Sequence, residues 1–312
     1  MEPKIAIILP VYNGMPYLVK SVESVLQQEY ADFEFYILDD SSTDDSWQYL
    51  QTIRDSRVRL SRNPHNLGLF PNLNILISNS SAPLIKLWSQ DDIMYPQCIG
   101  ETIKFHLQTP QLGFSYSGRD LINESGAVTA THHNDPTPVI ISKDLHAASA
   151  CYTGSIAGNI ANVTISRSAL KTCGLFNENM KISGDFEMWV RLSLQFPIGF
   201  IRQNLVKLRN HAQQLSRQEK FYIHHVKEDI SAYKILFNGL TVEQSLKGRR
   251  LLRQNKLMFY YTLMLQSFLK GKITTGFDFL GTLHRFDNIF LLSFYYFKMK
   301  LTRKPTVEIK SL

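Results

Sequence analysis

KIAIILPV, Lys4–Val11, is a short, branched, apolar run that stops in a turn, YNGMP. Such a run reads as a buried strand. Pro16 suits the first turn of a helix, and Leu18, Val22, Val25 and Leu26 then share one helical face. FEFYIL, Phe33–Leu38, is a second strand ending in Asp39-Asp40. A polar turn over Ser41–Asp44 leads to Trp47, Leu50 and Ile53 on a second amphipathic helix. Val58–Leu60 is a third short strand, followed by NPHNLG. PLIKLW, Pro83–Trp88, is a fourth, ending in Ser89-Gln90-Asp91-Asp92, with a helix from about Gln97 to Leu107. This alternation predicts an α/β fold with a mostly parallel sheet flanked by helices.

The middle of the chain is less regular. Residues 113–150 read as strands and loops, with a polar stretch around Thr131–Pro138. IANVTIS, Ile160–Ser166, reads as a strand, and Asp185–Phe196 as a helix opened by Gly184-Asp185. From about Ser216 the pattern turns helical, with Phe221, Val226, Ile230 and Tyr233 on one face. No internal repeat is present. The composition shift sets an expected boundary between residues 1–215 and a basic, helical C-terminal region, 216–312.

Charge supports that boundary. The net charge is +7, but residues 1–215 hold 17 Lys and Arg against 20 acids, and residues 216–312 hold 17 against 7. Such asymmetry points the tail towards something anionic, or to a solvated basic surface. Cys98, Cys151 and Cys173 show no CxxC spacing, which favours a reducing compartment over a disulfide scaffold. Ile5–Leu9 is too short for the apolar core of a signal peptide, and no stretch reaches the ~20 apolar residues of a spanning helix. Leu257–Leu269 and Ile289–Phe297 are uncharged and aromatic-rich, suited to burial or to a membrane interface. The expected location is cytoplasmic, peripheral on the inner face of the cell membrane.

Ligands gather at the carboxyl ends of parallel strands, and the polar clusters of this chain fall there: Tyr12-Asn13-Gly14, Asp39-Asp40, Asn66-Leu67-Gly68 and Asp91-Asp92. Carboxylates so placed suit a hard divalent cation, or hydrogen bonds from a ribose or base. Acids after strands also cap helices; two pairs at two strand ends favour a site. His132-His133 and His224-His225 lack the i, i+4 spacing of a helical zinc site. The sequons at Asn123 and Asn162 carry no weight without a sign of secretion, and the tail holds no recognisable nucleic-acid motif.

Six segments then come in order: LPVYNG at 9–14, LDDSSTDDS at 38–46, NLG at 66–68, WSQDDIMYP at 88–96, GLFNENMKISGDFEMWVRL at 174–192 and LRNHAQQLS at 208–216. Together they resemble the inverting family 2 glycosyltransferases with a GT-A fold, over roughly residues 4–216. The resemblance implies a catalytic domain over 1–215, its nucleotide-sugar half at about 1–110 and its acceptor half at about 111–215. It implies that Pro10, Tyr12 and Asn13 line the nucleotide pocket, that Asp39 and Asp40 hold base and ribose, and that Asn66 and Gly68 form a nearby loop. Ser89-Gln90-Asp91 matches the Asp-x-Asp segment: Asp91 would bind Mg²⁺ or Mn²⁺, with Gln90 and Asp92 beside the nucleotide-sugar. Asp185 matches the general base, and His211 a residue close to the diphosphate.

The implied reaction is transfer from a UDP- or dTDP-sugar to a hydroxyl of a glycan or lipid-linked acceptor, in cell-surface polysaccharide synthesis. Two departures stand out. Ser89 replaces the usual first acid and cannot supply a charged ligand, and Gly184 replaces a frequent Glu. Two rival readings follow: a nucleotide-sugar-binding module with an impaired metal site, and a nucleotidyltransferase. The second would need a Gly-rich, basic loop after the first strand, where this chain has one Gly and no nearby Lys.

Overall fold

The computed structural model describes residues 4–131, 135–211 and 219–301. The His132-His133 pair, the motif residues after His211 and the expected boundary at 216 lie outside these. The chain divides into two compact units: one of Met1–Ile141, Ala157–Lys181 and Gln195–Ala212, the other of Ser142–Ile156, Ile182–Leu194 and the C-terminal helices.

The first unit is a ten-stranded sheet with its helices. Strands β1 (Ile5–Val11), β2 (Glu34–Asp39), β3 (Val58–Arg62) and β4 (Leu84–Leu87) pair in parallel, in the order β3-β2-β1-β4. Ile5 to Leu9 are all 0% exposed. A strand covered on both faces must be a continuous apolar run rather than an alternating one, which is why KIAIILPV reads so clearly. Side chains of α1 (Leu18–Leu26), α2 (Ser46–Leu50) and α4 (Cys98–Gln108) join Ile5, Ile7 and Leu9 in one core. Helix α1 starts at Leu18, so Pro16 precedes it.

The expectation of a mostly parallel sheet holds only for this half. Beyond β4 come β5 (Ile93–Met94), β6 (Phe114–Ile122), β7 (Val128–Thr131), β8 (Ile140–Ile141), β9 (Val163–Ser166) and β10 (Ile198–Arg209). β9 lies antiparallel between β4 and β6, and β10 pairs β6 in parallel, so the sheet is mixed.

Two helices of this unit escape the sequence reading. In α3 (Leu69–Asn79), Pro71 falls in the first turn, where its missing N–H is not needed. The short α6 (Arg167–Cys173) ends at Gly174 with φ +82°.

In the second unit, α5 (Lys143–Tyr152) replaces the strands and loops expected near 150; Ser142 caps it, its Oγ accepting from Leu145 N at 3.3 Å. Ala147 and Cys151 of α5 and Phe186 and Val190 of α7 (Gly184–Gln195) share a core with α8 (Tyr222–Asn238), α9 (Val242–Gln254), α10 (Lys256–Leu269), α11 (Ile273–His284) and α12 (Ile289–Leu301). Apolar packing, not chain order, assigns α5 and α7 here. Among the described residues no helix is long and apolar enough to cross a membrane.

Candidate functional site

The turn after β1 is built from three strand ends. Tyr12 N donates to Gln90 Oε1 at 2.9 Å, and Gln90 Nε2 returns a bond to Tyr12 O at 3.0 Å. Asn13 N, Gly14 N and Met15 N donate to Ser42 Oγ, Ser46 Oγ and Asp44 Oδ2, at 3.0, 2.9 and 3.1 Å. Amides before a helix need such acceptors, and the turn after β2 supplies them. Asn13 sits at φ +48°, which Asn tolerates, and its Oδ1 accepts from Thr43 N at 2.8 Å. Pro10 is the last but one residue of β1, and the Tyr12 side chain stands 45% exposed beyond it.

The two acids after β2 divide their work. Asp40 is buried and fully engaged: Oδ1 accepts from Asn63 Nδ2 at 2.7 Å and Leu67 N at 2.8 Å, and Oδ2 from Gly68 N at 2.9 Å. It shapes the Asn66-Leu67-Gly68 loop, where Gly68 takes φ +90°, a conformation that favours glycine. Asp39 is 0% exposed, and its Oδ2 meets Arg62 Nε at 3.0 Å and Ser42 N at 3.1 Å. Its Oδ1 is buried without a partner among the described residues. A buried carboxylate oxygen left unsatisfied costs stability, so this atom suits a ligand's N–H or O–H.

The end of β4 meets the end of β10. Asp91 Oδ2 lies 2.9 Å from His211 Nε2, and Oδ1 accepts from Ser89 Oγ at 2.5 Å. Burial opposes ionisation of Asp91, but the hydrogen bonds from His211 and Ser89 outweigh it and hold the carboxyl below its usual range. Ser89 thus supports Asp91. Arg209, which the sequence reading did not single out, braces the loop: Nε donates to Asp91 O at 2.8 Å, Nη1 to Asn123 O at 2.7 Å, and the guanidinium lies 4.5 Å from the Tyr17 ring centre. The Tyr17 ring is in turn 5.2 Å from that of His211. The sequence signal was Arg209's place two residues before His211, inside a motif already in hand.

Asp92 requires a correction. It is 1% exposed, and its Oδ1 accepts from Arg209 N at 2.7 Å. Burial first, then the charge of Asp91, pushes its carboxyl well above the usual range. It anchors the loop to β10 and offers no oxygen to a nucleotide. Gln90 likewise spends its amide on the Tyr12 backbone.

Among the described residues no group of three His, Cys, Asp or Glu gathers for a metal. The Asp91 carboxylate alone still fits a Mg²⁺ or Mn²⁺ that takes its remaining ligands from phosphate oxygens and water, whereas the His211 imidazole is no usual ligand of Mg²⁺. They do not make a closed cage.

Asp185 belongs to the other unit, in the first turn of α7, where its Oδ1 accepts from Phe186 N at 2.7 Å. Burial, with a further push from the Asp229 charge, raises its carboxyl to about 6, against the opposing pull of His225. Helix α8 shapes these surroundings. Glu228 Oε2 accepts from Ile182 N at 2.9 Å and Ser183 N at 2.8 Å, holding the entry to α7. His225 Nδ1 lies 3.2 Å from Ser183 Oγ and 3.3 Å from Asp229 Oδ1, and Tyr260 OH donates to Asp229. Burial works against a charged His225, but the bond to Asp229 prevails and raises its pKa. A zinc-spacing rule passes over His225, whose signal in the sequence is the i, i+4 match with Asp229.

Residues 6–158 match the model of Glycosyl transferase family 2. An uncharacterised glycosyltransferase of Rickettsia felis is 27% identical over 248 residues, 78% of this chain and 40% of the relative. The Escherichia coli UDP-Glc:alpha-D-GlcNAc-diphosphoundecaprenol beta-1,3-glucosyltransferase WfaP is 34% identical over 113 residues, 36% of this chain and 45% of WfaP. The matches thus span less than half the length of either relative. Among solved structures, S. aureus TarS 1-349 in complex with UDP-GlcNAc superposes with a TM-score of 0.69 at 15% identity, covering 91% of this chain and 80% of that one.

Proposed function

We propose that the chain, which belongs to glycosyl transferase family 2, is a glycosyltransferase that transfers a sugar, with inversion, from a UDP- or dTDP-sugar to a hydroxyl of a glycan or lipid-linked acceptor. The carrying observation is the pairing of Asp91 with His211 at 2.9 Å beside the end of β4, braced by Ser89 and Arg209. That arrangement suits a diphosphate. A Mg²⁺ or Mn²⁺ held by Asp91, with His211 beside the diphosphate, would supply the positive charge that eases departure of the nucleoside diphosphate.

The remaining roles rest on this chain's own residues. Pro10, Tyr12 and Asn13 line the nucleotide side, and the free Oδ1 of Asp39 accepts a hydrogen bond from the base or ribose. Asp40 keeps the Asn66–Gly68 loop in place. Asp185 takes the proton of the acceptor hydroxyl as its oxygen bonds to the anomeric carbon and the bond to the diphosphate breaks. A carboxyl raised to about 6 is ionised at neutral pH yet basic enough to accept that proton. Direct attack by the acceptor inverts the centre and needs no covalent intermediate.

The acceptor reading draws on WfaP, whose name specifies a diphosphoundecaprenol-linked saccharide, and on the basic tail. Together they favour work at the inner face of a membrane, in cell-surface polysaccharide synthesis. Calorimetry with UDP and dTDP, with and without Mn²⁺, tests the donor site. Metal-dependent binding that Asp91→Ala abolishes is the expected result. No nucleotide binding under any condition would return the strand-end acids to purely structural roles.

A further inference from the structure

Helix α12 is apolar on a face that a solvated helix keeps polar. Its inner residues Ile289, Leu292, Tyr295, Tyr296 and Met299 pack into the core of the second unit. Its outer residues Phe290, Phe294, Phe297 and Leu301 are 82%, 62%, 64% and 86% exposed. Their spacing is i, i+4, i+7, i+11, so at 3.6 residues per turn they fall within about 60° of arc along about 16 Å of helix. A helix apolar all round is ordinarily covered on all sides, and a contiguous exposed apolar patch marks an interaction surface.

The charge around the stripe says what covers it. Residues 256–301 hold six Lys and Arg against two acids, Asp278 and Asp287. Asp287 is occupied by Arg253, through two bonds of 2.8 Å. Helix α12 carries no acid, and Lys298 and Lys300 stand exposed in its last turn, beside Phe297 and Leu301. Lys270 and Lys272 are shared with Glu219, at 3.0 and 3.1 Å, and the Lys300 ammonium lies 5.6 Å from the centre of the Tyr296 ring of its own helix. A surface both apolar and anionic complements aromatic rings next to lysines, and that pairing describes an acidic bilayer: rings settle at the headgroup level while lysines meet phosphates. With 13 residues, α12 is too short to span a bilayer and suited to lie along one.

We propose that the outer face of α12 seats on an anionic bilayer, with Phe290, Phe294 and Phe297 in the headgroup–acyl boundary and Lys298 and Lys300 on lipid phosphates. This deepens the membrane-proximal part of the proposed function and rests on it. It gives the enzyme a fixed orientation towards an acceptor whose lipid is already in that plane.

Flotation with phosphatidylcholine vesicles, with and without phosphatidylglycerol, at low and high salt, tests the surface. The expected result is capture by the acidic vesicles, weakened by salt. F290S/F294S/F297S should cut partitioning at least about tenfold, with melting temperature and UDP calorimetry unchanged, because the three rings are exposed. K298Q/K300Q should weaken capture about fivefold per lysine and flatten the salt dependence. Wild-type protein that ignores acidic vesicles at low salt overturns the proposal, as does a triple variant that floats like wild type. A concentration-dependent dimer in sedimentation, lost in the triple variant and unaccompanied by vesicle capture, also overturns it and assigns the face to a second copy. Nucleotide binding without capture defeats the docking alone; capture without nucleotide binding defeats the donor site alone.

Discussion

The ends of β1, β2 and β4 and the outside of α10–α12 solve opposite problems. At the strand ends polar groups crowd together, and nearly all find partners in one another: Tyr12 with Gln90, Asn13 with Thr43, Asp40 with the loop ending at Gly68, Asp92 with Arg209. Among the described residues the few atoms left over, Asp39 Oδ1 and His211 Nδ1, stand out against that satisfied background. On the helices the leftover surface is apolar, and its exposed rings stand out against an otherwise basic exterior. Each region reveals a partner by what its own packing leaves undone, polar in one and apolar in the other.

The largest expected effect breaks the chemistry without touching either framework. Asp185→Asn should lower transfer by about a hundredfold or more, the usual worth of a general base. In wild type, kcat/KM should fall as pH drops through about 6, where Asp185 takes up a proton. The sign for stability is opposite. A carboxyl raised in the folded state penalises folding once ionised, so Asp185→Asn should stabilise the protein at pH 8, by about 1 kcal/mol after allowing for partial exposure. Loss of activity together with loss of stability would recast Asp185 as a helix-entry residue.

Next in size is the contrast within the strand ends. Asp91→Ala should weaken Mn²⁺-dependent UDP binding by more than about a hundredfold. The neighbouring acids then part company. Asp40→Ala strands two backbone amides and should cost about 2–3 kcal/mol in a denaturant melt, whereas Asp39→Asn should lower nucleotide affinity about tenfold. Equal behaviour of the two variants would erase the distinction between a free and an occupied carboxylate.

A smaller effect lies in α8. The pKa of His225 is raised by Asp229, so their pairing stabilises fully below the histidine's unfolded value and fades as pH rises through the folded one. Melting temperature should decline over that interval, and His225→Gln should flatten the decline. Smallest is Phe290→Ser, expected to stay within about 0.5 kcal/mol of wild type in a thermal melt. A larger loss would mean that the ring supports the fold.

Sequence alone determined the parallel half, the order of its polar strand ends and the helix opened by Asp185. Those features follow from local causes: a doubly covered strand must be an apolar run, and a turn needs residues that can make it. It misread what depends on remote partners. Helix α5 looks irregular until the apolar core it joins is known. Nor do the pairs Asp39-Asp40 and Asp91-Asp92 announce which member points inward. Tertiary structure decided that Asp92 serves Arg209, that Asp91 meets a histidine 120 residues away, and that α5 and α7 pack with the C-terminal helices. Hydrogen bonds and apolar contacts are satisfied by whatever the fold brings within a few ångströms, and no local pattern encodes that neighbourhood.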